Sequence, residues 1–287
     1  MNATSKLVLG TVQFGVNYGI NNPNGQVPLD EVCKILQIAS ENGIKTLDTS
    51  SGYGQSETVL GKAIKESETS FRIVSKYPTS DMGVKETFEA SLSKLGLESI
   101  YGYMVHHFEF YQKHPDIFDV MTELKQQGKI QKIGFSIYTT DQLQILLDKN
   151  VTIDILQFPY NILDRQFEPY MKLLKEKGVE IHTRSAFLQG LFFKDLQKLP
   201  EKLKPLYSEL KQIQDFAIRN NIPMEQLALS YVYGNPLVDG VLIGVDNHKQ
   251  LEANIEAVSH QLTEDETTFI RSVNVKEKRL LNPVNWN

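Results

Sequence analysis

An acid and a phenol stand close together in the stretch Leu47-Asp48-Thr49-Ser50-Ser51-Gly52-Tyr53-Gly54-Gln55-Ser56-Glu57. Asp48 can hold a cation in a poorly solvated site, and Tyr53 can give or take a proton if a nearby cation draws its pKa down from about 10. Lys76, at the end of the apolar run 71–76, is a cation that fits this scheme. His106, in Val105-His106-His107, adds a donor able to orient a carbonyl oxygen and meet charge developing on it. The chemistry these types suggest is proton transfer at a carbonyl, and what it lacks is a source of hydride. Taken alone, Asp48 could equally cap a turn and Tyr53 pack over a rim, so the surrounding elements must decide.

Short apolar runs alternate with amphipathic segments along the chain, the pattern of repeated βα units around a parallel sheet. Strands are expected over residues 6–12, 44–48, 71–76, 102–106, 132–136, 153–157, 180–183 and 240–243. Their partner helices are expected over 29–42, 56–65, 85–95, 115–127, 140–147, 169–177, 205–219 and 248–258, with 223–233 and 263–273 left as additional helices. Eight of each close most naturally into a single-domain α/β (β/α)₈ TIM barrel spanning 1–287 with additional C-terminal helices. An open doubly wound sheet is the main competitor, but the sequence has neither a G-x-G-x-x-G after a strand nor a G-x-x-x-x-G-K-[ST]. In a barrel, Asp48, Lys76, His106, Ser136 and Gln157 end successive strands and converge on one rim.

Composition narrows the classes further. With 41% hydrophobic and 23% charged residues, the chain can bury a sizeable core. A net charge of −5 argues against a nucleic-acid partner, which would ask for a basic face. Cys33 is the only cysteine, so no intrachain disulfide can form, which suits a reducing cytoplasm. Residues 1–6 are polar and no apolar run reaches membrane-spanning length, so neither export nor membrane insertion is expected.

Over essentially its whole length the chain resembles the aldo-keto reductases. That family's catalytic Asp, Tyr, Lys and His fall at Asp48, Tyr53, Lys76 and His106. The opening Leu9-Gly10-Thr11-Val12-Gln13-Phe14-Gly15 resembles the strand whose Gly and Thr approach the nicotinamide. Ser136 and Gln157 resemble the residues that bond its carboxamide. The segment from Ile243-Gly244-Val245-Asp246 through Gln250-Leu251-Glu252-Ala253-Asn254 resembles the one that holds the adenosine phosphate. Two substitutions stand out: Ile137 replaces the usual asparagine, and Arg184, before Ser185, stands where an aromatic ring usually stacks on the nicotinamide.

The resemblance implies an NAD(P)H-dependent oxidoreductase acting on a small-molecule aldehyde or ketone. Gly10, Thr11, Val12, Asp48, Ser136, Gln157, Arg184, Ser185, Gly244, Val245, Asp246, Gln250 and Asn254 would hold the cofactor. NADPH is expected to be preferred over NADH, through the free amides that start the 248–258 helix with Lys249 beside them, though Asp246 works against it. Polar residues Asn17, Asn21, Asn22, Asn161 and Asp164 suggest a hydroxylated, sugar-like carbonyl. One alternative is a nicotinamide-binding sensor or auxiliary subunit with residual catalysis. Another is an unrelated barrel lyase or hydrolase that uses no nicotinamide.

Other features have plainer explanations. His106 and His107, as strand neighbours, should point to opposite faces and so cannot share a metal, and no metal site is expected. His114, His182 and His260 have no converging acidic partner in sequence. Phe108, Phe110 and Tyr111 either line a substrate pocket or pack on the rim.

Overall fold

The computed structural model describes residues 6–20, 22 and 24–286. Asn21 and the segment 1–5 lie outside the described residues. The strands are β1 Leu7–Gly10, β2 Thr46–Asp48, β3 Arg72–Tyr77, β4 Ile100–Val105, β5 Ile130–Ser136, β6 Ile155–Pro159, β7 Glu180–Arg184 and β8 Gly240–Gly244. Each pairs in parallel with the next, and β1 closes on β8 with Leu7 opposite Val241. The result is the expected (β/α)₈ barrel. Such strands are covered on both faces, which is why they read as short continuous apolar runs.

The helices are α1 Val12–Gly15, α2 Leu29–Glu41, α3 Ser56–Glu66, α4 Val84–Leu95, α5 Phe108–Lys113, α6 Ile117–Gln126, α7 Thr140–Asp148 and α8 Glu168–Glu176. They continue as α9 Tyr207–Arg219, α10 Met224–Tyr233, α11 His248–Ala257 and α12 Glu264–Ser272. In α2 the buried residues Val32, Ile35, Leu36 and Ala39 recur at helical spacing and face the barrel.

Two expectations need correction. The helix that belongs to the ring after β7 is α10, buried from Leu227 through Val232 and packed on α11. It is not α9, which packs on the 3₁₀ segments after β7, stacks Phe216 on Phe269 of the additional helix α12, and leaves Ile218 exposed. Phe108 and Tyr111, on the helix 108–113, take the second of the two readings left open and pack against Phe135. His182 does have an acidic partner: its Nε2 lies 2.8 Å from Glu180 Oε1, on the same face of β7, where Glu180 also takes bonds from Lys132 at 2.5 Å and Tyr101 at 2.6 Å. His260 likewise meets Glu266 at 3.0 Å.

The register places the site. Gly10 is opposite Asp48, Asp48 opposite Val74, and Ser136 opposite Gln157, so these strands finish at one rim. Among the described residues, no helix is long and apolar enough to cross a membrane.

Candidate active site

Asp48 ends β2 and is buried, and Lys76, one residue from the end of β3, is fully buried beside it. The Lys76 Nζ donates to Asp48 Oδ1 and, at 3.0 Å, to the Thr49 carbonyl. The second carboxylate oxygen of Asp48 accepts from Gln157 Nε2 at 2.8 Å, so β2, β3 and β6 are tied together at the rim. Thr11 fixes the strand end itself, donating through Oγ1 to the Asp48 carbonyl at 3.0 Å. Burial pulls the Lys76 ammonium below its usual range, and the Asp48 charge and hydrogen bond offset this only in part.

Tyr53 lies in the loop after β2, with the Lys76 Nζ 5.2 Å from its ring centroid and the His106 ring edge-on at 5.4 Å. The expected lowering of the Tyr53 pKa is reversed. Burial, then the Asp48 carboxylate, drive the phenol upward, and Arg184 offsets this only partly. Desolvation outweighs the neighbouring cation because that cation is already neutralised by Asp48. Tyr53 is therefore a neutral phenol at pH 7, holding a proton it can give.

His106 follows the end of β4, and burial, then Lys76, hold its imidazole well below the usual range, hence neutral. Its Nδ1 is 3.0 Å from Ser50 Oγ, which accepts from the Gly52 amide at 3.1 Å. If the Ser50 hydroxyl donates to Nδ1, the imidazole proton sits on Nε2, the tautomer a donor to a carbonyl oxygen requires. The two histidines do not point to opposite faces: past the end of β4 the alternation lapses, and their rings stack with centroids 4.6 Å apart. Only His106 lines the cavity.

That cavity, about 430 Å³, runs from Tyr53 and His106 past Ser136, Gln157 and Gly10 to Val12 and then to Gly244, Asp246 before α11, and Gln250 and Asn254 on it. A Cβ on Gly10 would meet only the Ile243 carbonyl at 3.5 Å, so packing within the chain leaves that wall open for a ligand to approach. Gln13, which borders the cavity, keeps a buried Oε1 without a partner, and Asn254 is buried there as well. Ser185 and Arg184 also line it. The Arg184 guanidinium lies 3.9 Å over the Tyr138 ring and donates to the Ile137 carbonyl at 3.1 Å, so one of its faces is already covered.

One expected cofactor residue is placed away from the cavity. Val245 is packed in the core and does not border the cavity. Three of the amides at the start of α11 are already spent. The His248 amide donates to Glu31 Oε1 at 2.7 Å, the Gln250 amide to the Asn247 side chain at 3.0 Å, and the Asp246 amide to Gln250 Oε1 at 2.8 Å. Of the polar residues expected to bind substrate, Asn161 and Asp164 are buried and Asn22 is tied up by its own loop. Asn161 Oδ1 takes the Leu163 and Asp164 amides, Asp164 takes Gln166, and Asn22 bonds Tyr18, Asn24 and Gly25. Asn17 is exposed and outside the cavity.

Sequence reasoning assigned no role to Ser50, Tyr138 or Glu31, and named Gln13 only within the opening strand motif. Ser50 lay inside the motif already singled out, and its place beside a strand-end histidine was the one available signal. Glu31 could not have been found, since it stands on α2 and meets α11 only because β8 closes on β1.

The model of the Aldo/keto reductase family matches residues 6–275. The chain is 26% identical to the NADH-specific methylglyoxal reductase of Escherichia coli (strain K12), covering 94% of this chain and 94% of that protein. It is 26% identical to the L-galactose dehydrogenase of Arabidopsis thaliana, over 88% of this chain and 85% of that one. With the L-glyceraldehyde 3-phosphate reductase of Escherichia coli O157:H7 the identity is 24%, over 89% and 86%. Among solved structures, the holo form of an aldo-keto reductase from Bacillus halodurans superposes with a TM-score of 0.76 at 25% identity, covering 93% of this chain and 91% of that one.

Proposed function

The chain belongs to the aldo/keto reductase family, and from that premise we propose that it reduces an aldehyde or ketone with a nicotinamide dinucleotide, Tyr53 giving the proton. The observation that carries this is the Asp48–Lys76 pair buried beneath the Tyr53 ring, with His106 edge-on to the same ring at the cavity wall. The dinucleotide supplies hydride when bound. Tyr53, kept protonated by burial, donates to the carbonyl oxygen as negative charge grows there. His106, neutral and steered through Nδ1 by Ser50, offers Nε2–H to the same oxygen. Lys76 and Asp48 set the field around the phenol, and Gln157 keeps the Asp48 carboxylate aligned.

In this scheme Gly10, Thr11, Val12, Ser136, Gln157, Arg184 and Ser185 border the nicotinamide half of the cofactor, and Gly244, Asp246, Gln250 and Asn254 border the adenosine half. All of these line the cavity. The substrate is a short oxygenated carbonyl, a class supported by relatives named for methylglyoxal, L-galactose and L-glyceraldehyde 3-phosphate. Of the residues first suggested for it, Asn161, Asp164 and Asn22 spend their polar groups within the fold and Asn17 lies off the cavity, so these four do not support it. A lone cysteine suits work in a reducing cytoplasm.

A screen of aldehydes, ketones and sugars with both reduced cofactors, followed at the nicotinamide absorbance, tests this. Turnover on at least one short carbonyl is expected. Tight cofactor binding with slow cycling on every carbonyl would instead make the chain a nicotinamide sensor, and absence of binding would remove nicotinamide chemistry altogether.

A further inference from the structure

The cavity that holds Tyr53 and His106 at one end reaches Asp246, just before α11, and Gln250 and Asn254 on that helix. A dinucleotide whose nicotinamide lies at Tyr53 therefore brings its adenosine ribose to α11. A phosphate on that ribose would carry between one and two negative charges and would need cations or unspent amides. Little of either is on offer: the His248, Gln250 and Asp246 amides are spent within the chain, and Lys249 is exposed and does not line the cavity. Among the described residues that line the cavity, Arg184 is the only lysine or arginine, and it belongs to the other end, where its charge bears on Tyr53, Lys76 and His106.

The start of α11 already has its anion, and the anion comes from the chain. Glu31, on α2, accepts through Oε1 from the His248 amide at 2.7 Å and from His248 Nδ1 at 2.6 Å. Burial alone would raise this carboxyl, but the bonds from His248 outweigh it and hold it below the usual carboxylate range. Asp246 adds a second carboxylate near this helix end, one that borders the cavity as Glu31 does not, and its Oδ1 is buried without a partner. An acceptor left in that state calls for a donor, and a ribose hydroxyl is one. Gln13 and Asn254, both nine-tenths or more buried and bordering the same cavity, bring neutral amides with no side-chain bond of their own, suited to hydroxyls and a base, not to a dianion.

On the reading that the chain binds a nicotinamide dinucleotide, we propose that its adenosine end is built for a free 2′-hydroxyl, with Glu31 and Asp246 selecting NADH against NADPH. This reverses the preference expected from sequence. That expectation rests on free amides at α11, and the acid that occupies the first of them, Glu31, stands at the other end of the chain.

Dissociation constants for NADH and NADPH, measured by calorimetry at low and high salt on wild type, Glu31→Gln and Asp246→Asn, test the proposal. Wild type should bind NADH at least about tenfold more tightly than NADPH at low salt, with the gap narrowing as salt is added. Each substitution should narrow the low-salt gap by roughly threefold or more, mainly by tightening NADPH. 5′-AMP and 2′,5′-ADP should follow the same order. Melting curves check that Glu31→Gln still folds, and Asp246→Asn, in the loop before α11, carries the test if it does not. Equal or tighter NADPH binding by wild type, or a ratio unmoved in both variants, overturns the proposal while leaving nicotinamide chemistry standing. If neither dinucleotide binds, the functional reading fails first and this proposal with it.

Discussion

Replacing Lys76 by Met removes one charge from a pair that water does not reach, and the loss can be worked out. The Asp48 carboxylate would remain buried with Gln157 Nε2 at 2.8 Å as its remaining side-chain donor, and the Thr49 carbonyl would lose the Nζ donor at 3.0 Å. Breaking a buried pair from one side typically costs about 3–5 kcal/mol. A chain of 287 residues unfolds with an entropy near 0.6 kcal/mol/K at about 2.1 cal/mol/K per residue, so the melting temperature should fall by roughly 5–8 °C.

A double variant, Asp48→Leu with Lys76→Met, leaves no charge stranded and should recover more than half of the lost stability without recovering turnover. Scanning calorimetry of the three proteins decides it. A single variant as stable as wild type, or a double variant worse than the sum of its parts, would refute the claim that these groups form a mutually dependent buried pair.

Other outcomes follow from the same geometry. His106→Ala should lower turnover by about 10² or more while His107→Ala costs little, because only the first lines the cavity; steady-state kinetics showing the opposite order would reverse their roles. Ser50→Ala frees the His106 Nδ1 and lets the wrong tautomer compete, so kcat should drop several-fold with cofactor affinity unchanged, and Ser50→Thr should restore part of it. Because Tyr53 is pushed up and His106 pushed down, both stay neutral across the middle pH range. Carbonyl reduction should then be nearly flat from about pH 6 to 9, whereas alcohol oxidation, which needs the phenolate, should climb with pH; a reduction rate that falls steeply above about pH 7 would contradict this.

What the sequence made legible was what depends on local pattern. Apolar runs bounded by turns located all the barrel strands, and reading each strand's last polar residue brought Asp48, Lys76, Ser136 and Gln157 to one rim, where the barrel does place them. What it could not show depends on closure and desolvation. Gln157 reaches Asp48 across 109 positions and Glu31 reaches His248 across 217, contacts that exist only once β8 has joined β1. The sign of the Tyr53 shift was misjudged because a lysine beside a tyrosine looks activating until Asp48 is seen to neutralise it and burial to dominate. The exchange of α9 and α10 has a similar origin. A clean apolar stripe marks a helix with one wet face, as in α9, while the inner helix α10 is apolar nearly all round and shows less period.

The most direct test of the account is Tyr53→Phe, examined by single-turnover kinetics on the best carbonyl from the screen alongside calorimetric titration with the preferred reduced cofactor. The phenol gives the proton and its hydroxyl contributes little to holding the dinucleotide. The hydride-transfer rate should therefore fall by about 10² to 10⁴ while the cofactor dissociation constant stays within about twofold. A variant that transfers hydride at nearly the wild-type rate, or that loses the cofactor instead of the rate, would contradict the account.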